Sequence, residues 1–296
     1  MTIRTIGILG SGIMGRGIAY VSALGGFNTI LQDVSDEAIE KAAASIGQTL
    51  DKGVERGKVT EEAARAAKSR LTTTQKLEEA AAGSELVIEA IPEKMDLKIE
   101  TFAALDRHAP EDAILATNTS SLSITEMAAA TERPDKVVGM HFFNPVHRMK
   151  LLEIVRGLET SEHTLKSAEA AGRAMAKECV TVRESPGFVT SRINAMIGNE
   201  AFYMLQEGVA SAEDIDKALK LGLNHPMGPF ELVDLVGLDT RLSILKFLHG
   251  ALGEKFRPCP LMEQYVAAGR LGRKSGKGVY DYTENEDKKP VGAGQA

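Results

Sequence analysis

The segment Gly10-Ser11-Gly12-Ile13-Met14-Gly15 constrains this chain more than any other feature. It has the spacing G-x-G-x-x-G, follows the apolar run Thr5 to Leu9, and opens a stretch of helical periodicity from Gly12 to Leu24. Strand, glycines, then helix is the context that separates a dinucleotide-binding turn from a chance glycine cluster. Gly10 allows the tight turn, Gly12 lets the backbone approach a pyrophosphate, and Gly15 lets the helix pack close to the strand. The helix then presents its free N–H groups to the phosphate. Ile13, Ile18 and Val21 are expected on its buried face. A second strand, Thr29 to Gln32, ends at Asp33, 18 residues after Gly15. A carboxylate there accepts hydrogen bonds from both ribose hydroxyls of NAD and repels the extra phosphate of NADP.

The alternation continues. Ser35 is suited to cap the next helix, with Asp36 and Glu37 in its first turn. Strands are expected at 86–91, 114–117, 137–141, 151–156 and 180–182, and helices at 92–108 and 161–177. Such alternation implies a Rossmann-type doubly wound sheet covered on both faces, with right-handed parallel crossovers. After Pro186-Gly187 the periodicity is helical, at 188–208, 213–221, 229–251 and 260–268. The fold class is therefore α/β, an N-terminal Rossmann-type sheet followed by an all-α C-terminal domain. The expected division is 1–184 for the NAD-binding domain, 185–283 for the helical domain and 284–296 for a flexible tail.

Charge and cysteine usage narrow the function classes. A net charge of −6 argues against a general nucleic-acid or membrane-surface role. No run approaches the roughly 18 apolar residues that span a bilayer. No targeting segment is evident at the start. Cys179 and Cys259 lack metal-ligand spacing, no metal site is expected, and two free thiols fit a reducing, cytoplasmic setting.

Three polar residues fall where ligands bind such sheets, beyond the carboxyl ends of the strands. Ser120 follows the strand at 114–117, within Asn118-Thr119-Ser120-Ser121. His141 ends the strand at 137–141. Glu153 lies inside the apolar strand Leu151-Leu152-Glu153-Ile154-Val155. A carboxylate buried in such a strand needs a partner, and His141 is suited to the part. Bonded to one imidazole nitrogen, the carboxylate fixes the tautomer and favours the positive ring. The other nitrogen can then take a proton from a substrate hydroxyl as hydride departs. Ser120 can bond the same oxygen. His108, His163 and His249 lie on polar or helical stretches and read as surface histidines. A serine hydrolase is disfavoured: G-x-S-x-G is absent around Ser120, and the order Ser, His, Glu is not a usual triad order.

Several stretches together resemble the 3-hydroxyacyl-CoA dehydrogenase family, especially its bacterial 3-hydroxybutyryl-CoA branch. They are Gly10 to Ala19, Val87 to Glu93, Asn118 to Ser121, His141 to Val146, Pro186-Gly187-Phe188, Asn224 to Pro229, and Gly276-Lys277-Gly278-Val279-Tyr280. The resemblance implies reversible NAD-dependent oxidation of an (S)-3-hydroxyacyl-CoA, of short chain, to the 3-oxoacyl-CoA, a step common to fatty-acid breakdown and butyrate-type pathways. It puts His141 and Glu153 at the catalytic dyad and Ser120 at the substrate-hydroxyl serine, and it puts Glu93 and Lys98 near the nicotinamide. Asn118 joins Gly10, Gly12, Ile13, Met14, Gly15 and Asp33 among the expected cofactor contacts, and Asn144 joins Ser120 on the substrate side. Lys52 and Arg56 lie where the family holds CoA. The helical domain would dimerise and close over the substrate. One departure stands out. Ser191 occupies the position of the family's asparagine before Arg192 and is expected to do part of its work at the catalytic site, with Asn194 one helical turn away as a substitute. Two rivals are a dehydrogenase of a free hydroxy acid or sugar acid, which needs no CoA patch, and a non-catalytic NAD-binding protein, which needs no catalytic residues.

Overall fold

The computed structural model describes residues 2–283 and the short strand 289–290; the expected tail at 284–296 otherwise lies outside the described residues. The chain forms two compact units, Met1–Ser185 and Pro186–Ala296. Among the described residues no helix is long and apolar enough to cross a membrane.

The first unit is built on an eight-stranded sheet. Its strands are β1 (Thr5–Leu9), β2 (Asn28–Gln32), β3 (Leu71–Thr74), β4 (Leu86–Glu89), β5 (Ile114–Thr117), β6 (Val137–Phe142), β7 (Leu151–Arg156) and β8 (Glu178–Arg183), ordered β3-β2-β1-β4-β5-β6-β7-β8. The helices are α1 (Ile13–Leu24), α2 (Asp36–Glu55), α3 (Glu61–Arg70), α4 (Leu77–Ala82), α5 (Met95–His108), α6 (Ile124–Ala128) and α7 (Glu162–Ala174). β1 to β6 run parallel, whereas β7 is antiparallel to β6. The sequence suggested a doubly wound sheet with a parallel crossover in its first unit and left the direction of β7 open. The 143–150 connection explains the difference: a parallel return needs a dozen or more residues, and so short a link can only turn back.

Alternation along the strands sorts side chains to two faces. Ile6, Ile8, Leu86, Ile88, Met140, Phe142, Leu152 and Ile154 pack with buried residues of α1, α2, α3 and α7. The opposite face carries Leu9, Val87, Leu115 and Val155, also buried. α2 starts where expected, after the Ser35 cap with Asp36 and Glu37 in its first turn, whereas α3, α4, α6 and β3 have no counterpart in the sequence expectations. The caps were nevertheless present: Ser35 Oγ accepts from the Ala38 N–H at 3.3 Å, and Thr60 Oγ1 accepts from the Ala63 N–H at 3.1 Å.

The second unit contains α8 (Thr190–Gln206), α9 (Ala212–Gly222), α10 (Pro229–Val236), α11 (Leu238–Leu252) and α12 (Pro260–Ala267) around Phe202, Phe230, Leu245 and Phe256. The single helix expected over 229–251 is two, because Gly237 stands at φ +102° between α10 and α11. Two buried carboxylates organise this unit. Asp216 accepts from the Phe230 and Glu231 N–H groups and the Tyr280 hydroxyl. Asp234 accepts from the Val279 and Tyr280 N–H groups and the Tyr282 hydroxyl. A Cβ on Gly228 would lie 2.2 Å from Asp216, and one on Gly278 2.1 Å from Asp234. The glycines of two signature stretches therefore make room for buried acids.

Candidate active site

The glycines of the N-terminal turn divide by role. Gly10 has φ +91°, and a Cβ there would come 2.7 Å from the Ala90 oxygen; a Cβ on Gly15 would come 1.7 Å from the Gly10 oxygen. These two serve the protein's own packing. A Cβ on Gly12 would meet nothing within 4 Å. Gly12 is the N-cap of α1, whose first N–H groups receive no side-chain cap. Open space over uncapped donors fits the diphosphate of a dinucleotide. Ile18 and Val21 are buried as expected, but Ile13 is 60% exposed beside this space rather than on the buried face, while Met14 packs partly against the core.

Asp33 follows β2. The Ser11 N–H and hydroxyl both donate to its Oδ2 at 2.8 Å, and the Ser35 N–H donates to Oδ1 at 3.3 Å. Burial by itself would raise the carboxyl pKa, but the bonds from Ser11 and from the Ser35 and Val34 backbone outweigh it and hold it below its ordinary value. The group is thus an oriented anion with lone pairs to spare for ribose hydroxyls.

His141 and Glu153 lie directly opposite each other in the antiparallel β6–β7 ladder. Opposed residues of such a pair share one face of the sheet and bring their side chains into contact. His141 Nδ1 stands 2.7 Å from Glu153 Oε2, with the residues 6% and 1% exposed. The carboxylate therefore selects the tautomer with hydrogen on Nδ1 and leaves the Nε2 lone pair as acceptor. The Phe143 ring packs at 4.4 Å between centroids against the imidazole.

Glu89 and Thr117 lie on the same sheet face, by alternation with Val87 and Leu115. The fully buried Glu89 accepts from Lys98 Nζ at 2.6 Å, the Ile91 N–H at 2.8 Å and Thr117 Oγ1 at 2.8 Å. Lys98, only 1% exposed, also meets Glu93 at 3.2 Å. Glu93 accepts from Thr119 Oγ1 at 2.5 Å and the Ser120 N–H at 3.1 Å, so it fixes the backbone of Ser120. Asn118 Oδ1 accepts from the Phe142 N–H at 2.9 Å, tying the end of β5 to β6. Sequence reasoning named Glu93, Lys98, Asn118 and Ser120 but missed Glu89, Thr117, Thr119 and Ser11. Glu89 carried the same signal as Glu153: an acid in an apolar strand.

Beyond His141, the chain leads into a pair of cavities. The smaller, about 140 Å³, is lined by Arg16, Asn144 and Pro145 among others. The larger, about 820 Å³, carries Lys52, Arg56, Lys58, Arg148, Lys150 and Lys177 on its walls. Tyr20, Thr49 and His147 belong to both. No carboxylate among the described residues lines either one, although the chain as a whole is acidic. Lys52 and Arg56 are thus joined by four cations that sequence reasoning did not single out, because they come from three separate segments. Lys177 also donates to the Val146 and Met149 carbonyls, holding the loop between β6 and β7. Ser191 lies in the first turn of α8, on the second unit.

Known proteins match along nearly the whole chain. Residues 5–185 match the model of the 3-hydroxyacyl-CoA dehydrogenase NAD-binding domain, and residues 187–282 that of the C-terminal domain. A probable 3-hydroxybutyryl-CoA dehydrogenase of Bacillus subtilis is 50% identical over 285 residues, 96% of this chain and 99% of that protein. The mitochondrial hydroxyacyl-coenzyme A dehydrogenase of Rattus norvegicus is 40% identical over 95% of this chain and 91% of its own length. The crystal structure of an (S)-3-hydroxybutyryl-CoA dehydrogenase from Ralstonia eutropha superposes with a TM-score of 0.92 at 45% identity, covering 95% of this chain and 99% of that one. The chain belongs to the 3-hydroxyacyl-CoA dehydrogenase family and is an NAD-dependent oxidoreductase.

Proposed function

We propose that the protein interconverts an (S)-3-hydroxyacyl-CoA of short chain, 3-hydroxybutyryl-CoA, and its 3-oxoacyl-CoA, with His141 as the acid–base group. The observation that carries this reading is the buried His141–Glu153 pair, with one imidazole nitrogen held by the carboxylate. In the oxidising direction His141 Nε2 removes the hydroxyl proton, and Glu153 stands beside the ring as it becomes positive. The Ser120 hydroxyl donates to the substrate oxygen, from a backbone fixed by Glu93. The Gly12 turn, the N-terminus of α1 and Asp33 would hold NAD, which would supply the hydride acceptor. In reduction the same imidazole returns the proton.

Cofactor choice is assigned to Asp33. Asp33→Ala should narrow the preference for NADH over NADPH by at least about 10-fold, or ~1.4 kcal/mol, because the 2′-phosphate no longer meets an anion. The ratio of kcat/KM for the two cofactors reads this directly, and an unchanged ratio would remove Asp33 from the role.

The acid-free cationic cavity supports a CoA substrate over a free acid, since phosphates form charge-assisted bonds with such groups. The double variant Lys52→Glu/Arg56→Glu should raise KM for acetoacetyl-CoA by about 10-fold or more. KM for the N-acetylcysteamine thioester, which lacks the nucleotide, should change little. Equal effects on both substrates, or none on either, would place the CoA elsewhere. The second unit exposes Ile193, Met196, Leu235, Val236 and Phe247, apolar surface suited to a second copy, and a homodimer is part of the proposal. So is a cytoplasmic setting, which the free thiols Cys179 and Cys259 fit.

A further inference from the structure

His147 stands where the two cavities meet, and everything charged around it has one sign. Tyr20 of α1 approaches its ring edge-on at 5.8 Å. Arg16 of α1 lines the smaller cavity, and α2 contributes Lys52 and Arg56. Lys58 comes from the turn after α2, Arg148 and Lys150 from the loop of His147 itself, and Lys177 from the segment before β8. Tyr20 supplies no negative charge, because burial holds its phenol pKa above the ordinary value. Nothing in this surround compensates a further positive charge.

We propose that His147 is a proton-linked binding residue for the phosphates of the CoA nucleotide, neutral in the free protein and protonated from solvent when those phosphates settle beside it. The inference rests on the acyl-CoA reading and adds to it a residue and a pH dependence. The physical reason is a change in the sign of the local field. In the free protein, burial first and then Arg148, Lys177 and Lys58 hold the imidazole pKa below its usual value. Bound phosphate oxygens supply the missing anion, and an opposite charge close to a histidine favours its charged form. By linkage, affinity is highest where the imidazole is already protonated and falls as pH rises toward the pKa of the bound state. The effect acts on substrate capture, because His147 has no part in the proton transfer at His141.

The test is a calorimetric titration of the full-length protein with CoA, in two buffers of different ionisation enthalpy and over a pH series. The wild type should take up as much as about one proton per CoA bound, and its dissociation constant should rise by up to about 10-fold per pH unit between the imidazole pKa of the free protein and that of the complex. His147→Gln should bind without this uptake and with a flatter profile. His147→Lys, whose charge is permanent in this range, should bind as tightly at the alkaline end as at neutrality. Uptake that persists in His147→Gln, or wild-type binding with no uptake at all, would overturn the proposal. If Lys52→Glu/Arg56→Glu leaves CoA affinity at a single pH unchanged, the CoA lies outside this cavity, and the role of His147 fails with that placement.

Discussion

Replacing His141 with Gln is expected to lower kcat for acetoacetyl-CoA reduction by about 10²–10⁴-fold, the usual contribution of a positioned acid–base group. The glutamine side chain would occupy a similar volume between β6 and β7, so unfolding midpoint and NADH affinity should stay close to wild type. Glu153→Gln should fall nearly as far for a different reason. The amide can still face Nδ1, but it no longer selects one tautomer, and it offers no charge to the ring once Nε2 is protonated. Since the two groups act as one unit, the double variant should be little worse than His141→Gln alone. Steady-state kinetics on the three variants would check this. Multiplicative losses would mean that Glu153 acts on catalysis by some route other than the imidazole.

The second large effect concerns stability. Lys98→Met removes the cation from Glu89, which has no exposure to solvent. An uncompensated charge at such a site costs about 3–5 kcal/mol. The Ile91 N–H and Thr117 hydroxyl remain as donors, so the lower part of that range is expected. Adding Glu89→Gln should recover much of the loss, because the charge then goes while a side-chain oxygen remains for the Ile91 N–H. Denaturant unfolding of the single and double variants reads both numbers. A loss below about 1 kcal/mol in Lys98→Met would show that Glu89 is held by its neutral donors alone.

These two sites also show what a linear sequence conveys. Gly10, Gly12, Gly15 and Asp33 were readable because a short strand–turn–helix unit is local, although the space left at Gly10 faces Ala90, beyond β4. The His141–Glu153 pairing was legible because an acid in an apolar strand demands a partner, and an interval of twelve in an antiparallel turn-back delivers His141 opposite it. The same reasoning applied to Leu86-Val87-Ile88-Glu89 would have found the Lys98 pair. Ile13 misled for a local reason: its apolar side chain reads as core, yet it occupies the first turn beside the open space over Gly12.

Other features had little local signal. α2 and α3 are rich in alanine and charge, with only Ile39, Ala42, Ile46 and Leu50 buried on α2 and Ala64 and Ala67 on α3. The cationic cavity is assembled from α2 with its following turn, the β6–β7 loop and Lys177, far apart in the chain. Lys52 and Arg56 were visible as a cluster, whereas Arg148, Lys150 and Lys177 join them only in three dimensions, as walls of one cavity. Ser11 escaped notice as the filler residue of a glycine motif, although it donates two of the bonds that hold Asp33 in place.

Hydride chemistry with a CoA thioester at His141 is the central claim. The most direct measurement follows the absorbance of NADH when the purified full-length protein is mixed with acetoacetyl-CoA, with free acetoacetate and the His141→Gln protein run in parallel. NADH should be consumed with the thioester, hardly at all with the free acid, and slower by at least about 10²-fold in the variant. Consumption with free acetoacetate at a comparable rate, or an undiminished rate in His141→Gln, would contradict it.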